Sequence, residues 1–149
     1  MKVQEILTES TGGGNWLTII KKHHKGIKAA FDAAKRNPTQ ATLQKLKKLL
    51  MAHAIAEENT VYPTLEEHGI SDTSLEHEQD GAKAEVKKLA ANWKDPDIKK
   101  KIAKLEKGVL EHAIQHEEKD RFKRLFSKLD AEQTKKLTIA YKKRYKQQI

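Results

Sequence analysis

His53-Ala54-Ile55-Ala56-Glu57-Glu58-Asn59-Thr60-Val61-Tyr62-Pro63 closes a run that begins at Leu43, and its reading decides the fold. Leu43, Leu46, Leu50, His53 and Glu57 recur at spacings of 3, 4, 3 and 4, one face of an α-helix. That face opens as a leucine stripe and ends in an imidazole and a carboxylate. A carboxylate on a buried face is costly unless a charge pairs with it. A His and a Glu four residues apart stand one turn apart and can grip a single ion. The alternative is a helix that has drifted, so that both side chains reach solvent. Pro63 is expected to end or kink this helix, which is predicted over about Gln40–His68. Glu58 falls off the stripe and is expected in solvent, and His68-Gly69 reads as a helix end with a structural histidine.

Two more helices repeat the substitution of a histidine into an apolar stripe. In the first, over about Trp16–Arg36 with Asn15 as N-cap, Leu17, Ile20, His24, Ile27 and Phe31 share a face. His23 lies about 100° away from it. In the fourth, opened by Asp95-Pro96, the stripe is Ile98, Ile102, Leu105, Val109 and His112. One inward histidine is ordinary core; three with a nearby carboxylate are hard to explain as packing.

Downstream of His112 the apolar set Phe122, Leu125 and Leu129 falls out of register by one residue. Glu117 follows His112 by five, which in an ideal helix puts it about 140° off the histidine's face. A one-residue π-bulge would absorb the extra residue and bring Glu117 round. His116, at the ordinary spacing of four, is the rival. The third helix, from a cap at Ser71 or Asp72 to about Trp93, carries Leu75, Gln79, Ala82, Val86, Leu89 and Trp93 inward. His77 sits two residues from Gln79 and turns inward only if Asp80-Gly81 makes the helix irregular.

Composition bounds the rest. The 149 residues suffice for one domain with a single core, and three prolines, seven glycines and 5% aromatics beside many Lys, Glu, Leu and Ala read as all-helical. The expected fold is an antiparallel up-and-down four-helix bundle over residues 15–129. A flexible N-terminal segment, 1–14, precedes it, and a basic C-terminal helix, 130–149, capped by Asp130, packs on it. There is no cysteine, so a metal must be held by His and carboxylate, a donor set that suits iron, manganese or zinc. No apolar run of about 18 residues suggests a membrane span, and no signal peptide is seen, so a cytoplasmic protein is expected. The net charge of +9 is spread along every helix, which reads as a solvated surface more than a nucleic-acid patch.

These stretches resemble the hemerythrin-like HHE cation-binding family. The segments that carry the likeness are His24 to Phe31, His53 to Glu58 with Val61-Tyr62-Pro63, Glu76-His77, and Glu111-His112 through Glu117-Glu118 with Phe122. The resemblance implies a four-helix bundle around a non-haem di-iron centre. Glu57 and Glu117 would bridge, with His24, His53, His77 and His112 as terminal ligands and His116 as the rival to Glu117. It implies a small-molecule ligand, dioxygen or a related oxidant such as peroxide or nitric oxide, and roles in oxygen or iron sensing or oxidative-stress handling. The alternative is a basic helical module with a degenerate metal site that binds nucleic acid or an acidic protein.

Overall fold

The computed structural model describes residues 14–149, and every element among them is helical. The expected flexible segment 1–14 lies outside the described residues but for Gly14. Helix α1 spans Trp16–Arg36, α2 Gln40–Asn59, α3 Val61–Glu67, α4 Thr73–Ala91 and α5 Ile98–Leu110. A π-helical segment, Glu111–Arg121, leads without a break into α6, Phe122–Lys128, and α7 covers Ala131–Gln148. α1 packs on α2 and α5, and α4 packs on the same two, which closes a four-helix bundle. α7 lies against α1 and α2 as the additional C-terminal helix. No helix among the described residues is long and apolar enough to cross a membrane.

The helix starts follow from local chemistry. Asn15 Oδ1 accepts from the backbone N–H groups of Leu17 and Thr18 at 3.0 and 3.1 Å. Thr39 with Thr42, and Asp130 with Gln133, form reciprocal capping boxes. Each such cap contributes about 1 kcal/mol. α7 is also tied to the start of α1, where Trp16 N–H donates to Thr138 Oγ1 at 2.8 Å. The turn after α3 is the one expected: Gly69 has φ 73°, and Ile70 N–H reaches back to the Leu65 carbonyl at 2.9 Å.

Two boundaries differ from expectation. α2 ends at Asn59 instead of running on to His68, because Pro63 has no N–H and its ring crowds the carbonyl four residues back. Thr60 takes up the break with φ −131° and ψ −61°, and its hydroxyl donates to the Ala56 carbonyl at 2.7 Å. α5 begins at Ile98 instead of at Pro96. Asp95 forms a turn first, its side chain accepting from Asp97 N–H at 2.8 Å and its carbonyl from Ile98 N–H at 3.0 Å.

The core is divided in two along the bundle. One apolar cluster is built on Ile27, Phe31, Leu46, Leu50, Val86 and Ile102, the other on Trp16, Ile20, Tyr62, Leu75, Phe122 and Tyr141. Each of the four main rods carries a buried polar residue where it passes from one cluster to the other. These are His24 after Ile20, His53 and Glu57 after Leu50, Gln79 after Leu75, and His112 and Glu117 before Phe122. A polar layer therefore sits between two apolar clusters.

Away from that layer, Glu106 is buried against two lysines, with Lys28 Nζ at 3.0 Å and Lys35 Nζ at 2.5 Å. Burial raises its pKa, and the two lysines more than reverse this, leaving it below the usual 4.5. The folded state thus holds this proton less tightly than the unfolded chain. Its contribution to stability is complete above pH 4.5 and is lost as pH falls through the lowered folded value. Chemical denaturation of wild type and Glu106→Gln across pH should show a stability gap that is widest near neutrality and closes in acid. A gap independent of pH would refute the ion-pair reading.

Candidate metal centre

Three imidazoles turn their Nε2 atoms into the polar layer. His24 Nε2 stands 2.9 Å from His53 Nε2, 3.3 Å from Glu117 Oε1 and 3.8 Å from Glu57 Oε2. His53 Nε2 lies 2.9 Å from Glu57 Oε2, the contact that the four-residue spacing demands. His112 Nε2 lies 2.9 Å from Glu117 Oε2. Glu117 therefore faces His24 with one oxygen and His112 with the other. Both Glu57 and Glu117 are 0% exposed.

The opposite edge of each ring is held by a partner that sets its direction. His24 Nδ1 meets Glu118 Oε2 at 2.5 Å, and His112 Nδ1 meets Glu78 Oε1 at 2.7 Å. His53 Nδ1 meets the Tyr141 hydroxyl at 3.0 Å, and that hydroxyl also reaches His23 Nδ1 at 2.8 Å. Burial and then the neighbouring His53 and His24 push His23 down to about 3, which favours its neutral form. The single Tyr141 proton can be donated to only one of the two rings. Carboxylates and a phenol behind the rings are the supporting pattern of histidines that ligate metals.

The inward carboxylate oxygens complete the fit. Glu57 Oε1 and Oε2 and Glu117 Oε1 are buried with no hydrogen-bond donor directed at them. Two charged groups so placed are strongly unfavourable on their own. Protons partly compensate: burial lowers the pKa of His24, yet Glu117, Glu118 and Glu57 raise it well above the usual value. His112, opposed by burial and favoured by Glu117 and Glu78, rises to about 9. Burial raises and His112 and His24 lower Glu117, which ends well below the usual carboxylate range. His24, His53, Glu57 and Glu117 each offer one donor atom within 4.8 Å of the others. Neutral imidazole nitrogens and carboxylates are the donor set of iron, manganese and zinc, and a cation among them would offset the buried carboxylate charge.

Residues 16–137 match the hemerythrin HHE cation binding domain. The chain belongs to the hemerythrin family. No curated protein and no solved structure matches it. The family binds metal ions, typically iron, and the buried His/Glu cluster is where this hemerythrin domain offers to hold them.

The π segment decides which residue accompanies His112. Eleven residues are wound with i→i+5 bonds, longer than the single bulge the sequence demanded, and Phe122 N–H bonds the Glu117 carbonyl. This winding stacks residues five apart, so Glu117 comes beneath His112. His116 turns to the other side, half-buried, with Nδ1 on Glu78 Oε1 at 2.9 Å. It is part of a second group, Glu78, His112 and His116, on the outer edge of the layer.

His77 is not brought to the centre. α4 is regular through Asp80-Gly81, and His77 is exposed on its outer face. Two residues at 100° each carry it away from the face of Gln79. Gln79 occupies the inward position instead, with Oε1 3.2 Å from His112 Nε2. Glu58, expected in solvent, is half-buried and binds Lys83 Nζ at 2.7 Å and Gln79 Nε2 at 3.3 Å. His68 is structural as expected, its Nδ1 on the Thr64 carbonyl at 3.0 Å.

Sequence reasoning missed the supporting residues Tyr62, Glu78, Glu118 and Tyr141. Tyr62 donates to Glu117 Oε2 at 2.5 Å and lies 3.2 Å from His112 Nε2. Burial, then Glu117 and Glu57, hold its hydroxyl well above the usual phenol range, so it remains a donor. The signal for Tyr62 was its place one turn beyond Glu57–Glu58. For Tyr141 there was none, since its partner is 88 residues away.

Removing only the Tyr141 hydroxyl frees His53 to rotate. Tyr141→Phe is expected to weaken iron binding about 10–100-fold, the usual effect of losing a partner behind a ligand. The metal-free chain should stay folded and lose only about 1–3 kcal/mol, because the ring stays packed while the imidazole nitrogens lose their shared partner. A competitive chelator titration measures this, and an unchanged affinity would remove Tyr141 from the account.

Proposed function

We propose that this chain is a non-haem di-iron protein of hemerythrin type that binds dioxygen or a related small oxidant, peroxide or nitric oxide. The observation that carries the reading is the convergence of three imidazole Nε2 atoms on two buried carboxylates, three of whose four oxygens receive no hydrogen bond, between two apolar clusters. His24, His53, Glu57 and Glu117 would hold one iron. His112 and the second oxygen of Glu117 would hold the other, with Gln79 and Tyr62 at its edge. Bound iron supplies the open coordination position and the electrons on which such ligands depend. Zinc suits this purpose less well, because it has no redox chemistry and the ligands named need a metal that gives up electrons.

The chain's own contributions are separate from the metal's. Glu118, Tyr141 and Glu78 fix the tautomers and directions of the three histidines. Ile20, Ile27 and Leu50 are buried beside the layer and give it apolar surroundings. Tyr62 holds a proton at Glu117, where a reduced ligand could draw on it. A cavity between α4 and α5 reaches His24, His53 and His112 and gives a ligand its way in. Sensing of oxygen or iron and the handling of oxidants both fit such a site.

The direct test is to load the chain with ferrous iron under argon and add dioxygen, peroxide and nitric oxide in turn. A new visible absorption band that saturates with at least one of them is expected. Iron-loaded protein that responds to none would contradict the reading.

A further inference from the structure

The cavity that reaches the histidines is far larger than a small oxidant requires. It holds about 870 Å³. A molecule near the size of water takes up about 30 Å³. Pockets that hold organic ligands run to about 300–1,000 Å³. The wall is apolar for most of its length, through Ile27, Leu50, Leu89, Ile98 and Leu105. Small residues keep it open: Ala54, Gly81, Ala82 and Gly108 line it, and nothing lies within 4 Å of where a Cβ would stand on Gly81 or Gly108.

The outer end is different in kind. Lys88, Lys101 and Lys104 line it together with Glu85 and Asp95. Asp95 is taken by Lys101 at 2.5 Å. Lys88 and Lys104 form no ion pair within 4.0 Å among the described residues. A long apolar space with uncommitted cations at its mouth complements a molecule with an apolar body and an anionic end.

We propose that this cavity binds an amphiphilic organic anion, its body between α4 and α5 and its charged group on Lys88 and Lys104. This extends the reading of the same site, and rests on it only for what the apolar end meets: the layer of His24, His53 and His112. Such a ligand lies beside the metal position, where it either shields the centre or is brought to it.

Calorimetric titration of the full chain with decanoate, metal-free and iron-loaded, tests this. Saturable one-to-one binding is expected in both forms. The Lys88→Gln/Lys104→Gln pair, and decanol in place of decanoate, should each bind at least about tenfold more weakly. Gly108→Leu places a bulky side chain and a good helix former on the cavity lining, so it should keep its melting temperature and lose decanoate; Gly81→Leu repeats the test from α4. Absence of saturable binding, or binding that both leucine variants leave intact, would overturn the proposal. Decanol binding as tightly as decanoate would overturn its anionic part. Iron content measured on the same samples separates the two readings. A chain that takes up iron but no decanoate fails this proposal alone, and one that takes up decanoate but no iron supports it while the di-iron reading falls.

Discussion

Glu117→Ala is expected to abolish iron binding, and His116→Ala to leave it near wild type. This contrast follows from the winding of Glu111–Arg121. Glu117 is wholly buried and lies within 3.3 Å of both His24 and His112, so it is placed to serve both proposed metal positions. Its loss would remove a donor from each proposed position, and the effect should exceed the about 10–100-fold that loss of a supporting partner costs. His116 faces outward on Glu78, and Glu78 keeps its bond to His112 when His116 is gone. Iron analysis of the two purified variants decides the matter. Equal losses would mean that His116 also ligates, and two silent variants would end the role of the π segment.

Glu57→Leu should lose iron and gain stability in the metal-free form. Leu has about the volume of Glu, and the site around Glu57 is closed, with neither carboxylate oxygen receiving a hydrogen bond. Exchanging a buried charge for a packed apolar side chain is commonly neutral or stabilising by about 1–4 kcal/mol. His24 keeps Glu117 and Glu118 as partners, so no cation is stranded. For a chain of this length each kcal/mol is about 2–4 °C in melting temperature. Thermal melts of the chelated proteins should therefore show the variant equal or several degrees higher. A clear fall would make Glu57 a structural partner of His53 and not a residue kept for a metal.

The helices and the direction of each were legible because 3.6-residue periodicity is a local property. His24, His53, Glu57 and His112 were marked by the stripes they interrupt, and all four are buried. Glu117 was reachable only because Phe122 and Leu125 fall out of register with His112, which demands an extra residue and a wider helix. His77 shows the limit of motif reading: the Glu76-His77 pair carries the likeness, but helix phase turns it outward and leaves Gln79 inside. Glu118, Glu78 and Tyr141 were hidden for another reason. They touch their histidines across 94, 34 and 88 residues of chain, and no pattern within one helix records such a contact. The cavity between α4 and α5 is likewise a property of the assembled bundle, foreshadowed in the sequence only by Gly81 and Gly108.

The central claim is that the polar layer between the two apolar clusters is an iron site. The most direct test is metal analysis of the chain purified from iron-supplemented cells, with an absorption spectrum taken in air. The account predicts about two irons per chain, as carboxylate-bridged bundle sites hold, and visible bands that vanish on chelation. One iron per chain would refute the second position at His112, and a colourless chain without bound metal would contradict the account as a whole.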